Sequence, residues 1–455
     1  MIIMKLSLIN VLFFISLSSY SQNFNGIVLD KHTNEPIVGA HVYLKNKKQG
    51  VSTNNKGEYY FQAESNFNEK DSIYFSCVGY ITKKISFPEL KEKKFAVFLT
   101  MDVQSLKEVT IVSGNHLKPK IDFKSMAALK DGLHSFGSLL LKDKVYVIGG
   151  DLSFEEDKAK EVLFEFAQAP TSKGLIEQLE SMAPEFSWQE FSGSLQIYDI
   201  NTEIWETSDF EFRKRAYHNV HLHNDNIYIL GGKILSANKV YEYLDDKIEV
   251  YDIMRDTIMI DHTNPHQGVN FASFVYGDNI IVLGGSTKLK IDGQKEYSNK
   301  VHLYNLKSGY WYELKDMPKA KETKGVLIKN KIYLIGGFNQ VPLTEIETYD
   351  LNTAEWSIEG ELIRGLERPA ITYHENIIYI FEDGKLCTYN VETKELNEYL
   401  IDLNLKSSEL FFINNSLYIL GGYIEDDFSV KPSSGFYCVD IIEFEKTKIY
   451  NSKML

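Results

Sequence analysis

Arginine is scarce in this chain, and its placement is the first chemical signal. Four of the five arginines, Arg213, Arg215, Arg364 and Arg368, fall in segments that join one strand-rich stretch to the next, and His218, His266, Lys319, Lys321 and Lys406 occupy comparable segments. Guanidinium groups hold carboxylates and sulfates through paired hydrogen bonds, and lysines add point charge. If the segments converge, they make a cationic rim suited to a carboxylate, a sulfate or an acidic sugar. Arg213, Arg215, His218, His266, Lys321, Arg364, Arg368 and Lys406 are therefore the candidate ligand-binding residues. Solvated charge on surface links is the plainer explanation of the same pattern.

Bond-making chemistry finds less support. His218, His221 and His223 cluster in YHNVHLHND, yet His221 and His223 stand where other copies of the same stretch have Leu139 and Leu141, or Val326 and Ile328, which are packing positions. Glu367 beside Arg368, and Glu322 beside Lys321, supply the carboxylate next to a base that proton transfer would need. Cys77, Cys387 and Cys438 lie far apart with no CxxC spacing, so neither a disulfide framework nor a metal knuckle is expected. No catalytic residue, metal or cofactor is assigned, and the chain leans away from being an enzyme. A formal charge of −14 argues against a nucleic-acid backbone as partner.

What must position these residues is written repeatedly in the chain. KIYLIGG (331–337) recurs as KVYVIGG (144–150), NIYILGG (226–232), NIIVLGG (279–285) and SLYILGG (416–422), with IIYIFED (377–383) as a worn sixth copy. Each is a short β-rich run closed by a glycine pair, which permits a sharp turn without a Cβ penalty. A second signature follows: YDINTEIW from Tyr198, YNLKSGYW from Tyr304 and YDLNTAEW from Tyr349, with eroded forms from Tyr251 and Tyr389. Glycine pairs at Gly232, Gly285 and Gly337 recur at intervals of 53 and 52 residues. The glycine pair, the Tyr-Asp turn and the tryptophan six residues after that Asp resemble kelch repeats, whose period is about 50. That resemblance implies a six-bladed β-propeller over 134–450, with the inter-blade links and second-to-third strand loops at one end.

The first copy departs from the rest by an insertion over 151–192 that holds ten acidic residues and three lysines. Ser153 and Glu156 have capping-box spacing, and Val162, Leu163 and Phe166 form an apolar stripe, so a helix is expected there and a second over 175–182. This acidic cap, a lid, a docking element or mere decoration, would hang over the basic rim.

Before the repeats the text changes. Residues 1–21 carry one lysine, an apolar run and a small-residue exit, the shape of a secretory signal peptide. Residues 22–102 alternate apolar and polar between turn signals, as a small antiparallel β-sandwich does. Gly26, Asp30, Pro36, Gly39-Ala40, Gly57 and FSCVGY (75–80) resemble the carboxypeptidase-regulatory-like, transthyretin-like domain. That domain is an accessory and implies no peptidase activity; the HExxH motif does not occur in the sequence. In receptors that begin with this domain, a stretch similar to SLKEVTIVSG (105–114) acts as a TonB box; a last sandwich strand or part of a linker over 103–133 is the plainer reading here.

The fold class expected is thus all-β: a sandwich, then a six-bladed kelch propeller with a helical insertion. The function expected is an exported binding or interaction protein of a bacterial cell envelope, periplasmic, outer-membrane associated or extracellular, recognising a protein or an anionic or carbohydrate ligand at one rim. No membrane span is expected once the signal is cleaved. The enzymatic alternative, implied by resemblance to six-bladed kelch mutarotases in ring size and compartment, is a sugar-acid (sialic acid) mutarotase or epimerase. The Tyr217-His218 and Tyr373-His374 pairs resemble those of galactose-oxidase-like copper propellers, but no cysteine stands where that family's motif would place it.

Overall fold

The computed structural model describes residues 23–44, 49–62, 72–77, 80–100, 117–168, 187–289 and 295–455, together with Ile176, Gln178 and Leu179. The signal segment 1–21, the stretch 105–114 and most of 175–182 lie outside the described residues. The chain divides into two compact units, Met1–Gly114 and Asn115–Leu455, and the described residues are overwhelmingly β.

In the first unit, a three-stranded sheet orders Glu58–Gln62, Asn23–Asp30 and Ala96–Leu99, and a four-stranded sheet orders Gln49–Ser52, His41–Leu44, Ser72–Ser76 and Lys83–Ser86. Period-2 alternation supplies the core: along Glu58–Gln62 only Tyr59 and Phe61 are buried, and they join Phe24, Val28, Val42, Phe75 and Val97. The expectation of a wholly antiparallel sandwich needs correction. Asn23–Asp30 runs parallel to Ala96–Leu99, because the intervening chain crosses to the other sheet and returns through the short helix Phe87–Glu92. Gly26 sits where these strands crowd; a Cβ there would meet the Phe95 carbonyl oxygen at 2.1 Å.

Among the described residues of the second unit, six antiparallel sheets of at least four strands follow one another in chain order. Their innermost strands are Gly137–Leu141, Asn219–His223, Ala272–Tyr276, Gly325–Ile328, Ala370–His374 and Glu409–Ile413. The repeated run is the second strand of each, and its apolar character follows from burial on both faces. In Lys331–Ile335, Ile332 and Leu334 pack toward the third sheet while Tyr333 and Ile335 pack toward the fifth. Full burial of each such side chain contributes on the order of 1.5–3 kcal/mol. The tryptophans of the second signature lie face-to-tilted on the tyrosine directly across the ladder: Tyr198–Trp205 at 5.0 Å, Tyr304–Trp311 at 4.6 Å and Tyr349–Trp356 at 4.7 Å.

The sheets close into a ring, because Phe411, Tyr418, Leu420 and Phe436 of the sixth share a core with Val145, Val147 and Tyr198 of the first. Closure removes the open faces that a row of sheets would leave. The ring begins earlier than the repeat pattern, since Lys124–Ser125 is the outermost strand of the sixth sheet, pairing with Phe436–Asp440. The chain's last strand, Asn451–Met454, adds to the outer edge of the fifth sheet.

Within the first-sheet insertion the helix is Lys158–Gln168 and starts later than the capping-box spacing implies. Asp157 Oδ1 accepts the Lys160 N–H at 2.9 Å, whereas Ser153 Oγ accepts the Glu190 N–H. The strand Glu155–Glu156 pairs with Ser429–Pro432 of the sixth sheet's hairpin. The described part of the insertion is therefore anchored at the side of the rim.

Candidate functional site

Each glycine pair ends a second strand, and the residue after it pairs with the link entering the first strand of the same sheet: His134 with Asp151, Ala216 with Lys233, Val269 with Ser286, Glu322 with Phe338 and Lys406 with Tyr423. The glycines make this possible. Gly337 has φ +111, and a Cβ on it would lie 2.2 Å from the Glu322 carbonyl oxygen. In the fifth sheet the Glu382 carboxylate replaces the bridge, accepting the N–H groups of Arg368 and Glu367 at 2.7 and 3.2 Å. Links and second-to-third connections thus meet at one end, here termed the link end.

Most of the expected cations are engaged in ion pairs or hydrogen bonds. Arg215, 1% exposed, pairs with Glu249 at 2.6 Å and Asp245 at 3.1 Å, and Arg213 sets Nε and Nη2 each 3.2 Å from the two oxygens of Asp245. Lys321 places Nζ 2.5 Å from Glu347 Oε2, close but not aligned as a hydrogen bond, and donates to the Gly336 carbonyl at 2.8 Å. Glu249 and Glu347 hold the same position of the third strand, in IEVYD and IETYD. The third sheet fills that position with His302, whose Nδ1 lies 2.8 Å from Nδ1 of the link residue His266. His266 also reaches the Gly284 carbonyl at 2.8 Å, and burial pushes its pKa down to about 4. Arg364 donates to the Glu382 carbonyl at 2.7 Å, with Nε 3.4 Å from Glu398. His218 lies 3.0 Å from the Ile148 carbonyl, and burial pushes its pKa down to about 3. Lys406 pairs with Glu425 at 2.6 Å and Lys319 with Glu345 at 2.8 Å. In the second and fourth sheets the link base is thus a staple to the third strand, and most of the expected cations are held in ion pairs rather than standing free at the rim.

Arg368 faces the centre of the link end. Its Nη2 lies 3.4 Å from Glu322 Oε2 and 3.3 Å from Glu367 Oε1, and its Nε has no hydrogen-bond acceptor among the described residues. Glu322 is fully buried; burial alone would raise its pKa, yet Arg368, Lys295 and the Ser286 hydroxyl hold it below the usual carboxylate range. Across from it, the Tyr217 hydroxyl donates to Asp151 Oδ2 at 2.9 Å, and Lys233 Nζ stands 4.5 Å from the Tyr217 ring centre. His134 packs edge-on against Tyr423 at 5.0 Å, and burial pushes its pKa down to about 4. Sequence reasoning missed Asp151, Lys233, His134 and Tyr423, and took up Tyr217 only as half of a copper-propeller-like Tyr-His pair. Their signal was positional, the residue after each glycine pair and its link partner.

Behind this cluster a narrow space of about 30 Å³, lined by Ser135, Tyr217, Asn270, Lys324, Arg368 and Ser407, leads toward the axis. Lys324 of the fourth sheet meets Glu409 of the sixth at 2.5 Å, and beyond them lies an axial cavity of about 160 Å³. His221 is on its wall, 2.6 Å from the Ser273 hydroxyl, and burial pushes its pKa down to about 4. Among the described residues, no three His, Cys, Asp or Glu side chains converge as a metal site.

The rim of the link end is uneven. Tall second-to-third connections rise from the sixth, first, second and third sheets, whereas the fourth has only Phe338–Asn339 and the fifth a two-residue turn at Asp383 and Gly384. The tall side presents Trp188, Val240, Tyr241, Tyr243 and Ile424, each between 44% and 63% exposed.

Residues 188–382 match the family described as the KLHDC2/KLHL20/DRC7 Kelch-repeats domain, and residues 24–111 match the CarboxypepD_reg-like domain. Kelch-like protein 38 of Rattus norvegicus is 23% identical over 264 residues, 53% of this chain and 43% of its own length. Alpha-scruin of Limulus polyphemus is 21% identical over 216 residues, covering 45% of this chain and 23% of that protein. A tetrathionate hydrolase of Acidithiobacillus ferrooxidans is 24% identical over 166 residues, 34% of this chain and 33% of that protein. The chain spans less than half the length of each of these relatives. The solved structure of YjhT aligns with a TM-score of 0.49 at 12% identity, covering 68% of this chain and 96% of that one.

Proposed function

We propose, for a chain that carries kelch repeats behind a CarboxypepD_reg-like domain, that it is an exported recognition protein of a bacterial cell envelope, binding a protein partner at the link end of its β-propeller. Kelch propellers serve protein–protein interaction, and the observation that carries the reading here is the one-sided wall. Large apolar and aromatic side chains stand in solvent on the tall connections, where a folded protein gains nothing from them alone. Tyrosine and tryptophan at such density are the residue types that anchor interfaces. Export is supported by the composition of residues 1–21 and is tested by fractionation of the native cell. Recognition is tested by capture from the native envelope: the wild type retains a specific protein, and Val240→Asp/Tyr241→Ala/Tyr243→Ala loses it while keeping its thermal midpoint. Equal capture by both forms would refute the wall as the docking surface.

A second reading rests on Arg368. Its guanidinium, with an Nε lacking an acceptor among the described residues, stands beside Glu322 and Glu367 and across from the Tyr217–Asp151 pair. A sugar acid could present its carboxylate to Arg368 while Glu367 or Tyr217 moved a proton at the anomeric centre, which is the chemistry of a mutarotase. Exchange of sialic acid anomers, watched by NMR, would rise over the uncatalysed rate with wild type and not with Arg368→Ala.

A further inference from the structure

Beside the wall, a groove of about 1010 Å³ runs between the described part of the first-sheet insertion and the hairpin of the sixth sheet. Its size is at the upper end of ligand-sized sites and leaves room for several side chains. Its lining joins two features. One is aromatic: Phe154 and Trp188 pack at 5.1 Å, and Phe428 packs against Phe164 of the helix at 5.4 Å. The other is charge, seven carboxylates against two lysines. Glu156, Glu190 and Glu425 are matched by Lys158, Lys239 and Lys406. Glu155, Asp157, Asp426 and Asp427 have no ion-pair partner among the described residues.

We infer that this groove receives a Lys- or Arg-rich extended segment of the protein partner, its aliphatic stems lying over Phe154, Trp188 and Phe428 and its cationic heads meeting Glu155, Asp157, Asp426 and Asp427. The argument is charge complementarity over an aromatic floor: long basic side chains are the ones that carry apolar stems and a positive tip together. Two rival occupants have the wrong sign. The chain's own neighbouring segment 169–186 carries three glutamates and one lysine, and a second copy brings a formal charge of −14. The inference rests on the recognition reading and names the chemistry of the partner.

The test uses the full chain and a short fluorescent peptide alternating Lys and Ser, followed by anisotropy at low and high salt. Glu155→Gln/Asp427→Asn is the test variant, because both side chains are exposed and neither has an ion-pair partner among the described residues. Glu206→Gln/Asp209→Asn, exposed on the outer strand Ile204–Glu211 of the first sheet, removes equal charge elsewhere. Binding is expected to weaken roughly tenfold with the groove pair, to change little with the control pair, and to fade with salt. Equal weakening by both pairs, or equal binding of a Glu–Ser peptide, overturns the inference. Such a failure leaves the recognition reading standing, since capture through Tyr241 and Tyr243 is measured independently.

Discussion

Replacing Lys321 by methionine is expected to destabilise the ring by about 3–5 kcal/mol. The side chain is fully buried, its Nζ lies 2.5 Å from Glu347 Oε2, and it donates to the Gly336 carbonyl at 2.8 Å. Methionine keeps most of the volume but leaves the Glu347 carboxylate, 4% exposed, with no cation, and the carbonyl with no donor. Removing both charges with Lys321→Met/Glu347→Leu should return the protein to within about 1–2 kcal/mol of wild type, because no uncompensated charge stays inside. For a unit of about 340 residues the single change corresponds to a drop of roughly 4–7 °C in the thermal midpoint. Tryptophan fluorescence isolates the ring, since Trp188, Trp205, Trp311 and Trp356 all lie in the second unit. If the double variant is as unstable as the single one, or if Lys321→Met keeps its stability and loses partner binding, the link base is a ligand contact and the staple argument fails.

Acid should weaken the same ring. Burial holds His134, His218, His221 and His266 neutral, with pKa values near 4, 3, 4 and 4, whereas unfolded histidine titrates near 6.5. The unfolded chain therefore binds more protons below that pH, so stability is complete above about pH 6.5 and declines as the pH falls toward 4; a denaturation midpoint unchanged between about pH 7 and 5 would contradict this. Gly337→Ala, at φ +111 against the Glu322 carbonyl, should lower the midpoint far more than Gly309→Ala, which has a positive φ but nothing within 4 Å of the added Cβ. Deleting residues 451–455 removes the fifth strand of the fifth sheet and the Leu455 side chain that packs near Gly360, and should lower the midpoint and open the fifth sheet to proteolysis; an unchanged cleavage pattern would show the strand to be dispensable.

The all-β class and both domain types were legible because their signals are local and repeated. A second strand buried on both faces must read as an apolar run, and the bridge to the link demands a glycine pair, so each copy advertises itself. What escaped was set by pairings distant in sequence. Lys124–Ser125 is too short to show any periodicity, and only the ring's closure makes it a strand. The parallel partner of Asn23–Asp30 is decided by a crossover that alternation cannot reveal. Arg213, Arg215, Lys321, Arg368 and Lys406 stand in links, whereas Arg364 belongs to the strand Glu355–Leu366; the fate of Arg215 and Lys321 lay in the third strand, where the Glu of IEVYD and IETYD carried the missing information. Arg368 differs because it stands two residues beyond their position: the Leu366 carbonyl accepts the Gly337 N–H as the Arg215 and Lys321 carbonyls accept those of Gly150 and Gly285.

The central claim is that a protein partner docks on the tall side of the link end. A photo-crosslinking amino acid placed at Tyr243 on that side, or at exposed Asp383 on the low side, tests it in the native envelope. The account predicts one dominant adduct from position 243 and none from 383. Adducts from 383 alone, or from neither position while Arg368→Ala abolishes sialic acid exchange, would contradict it.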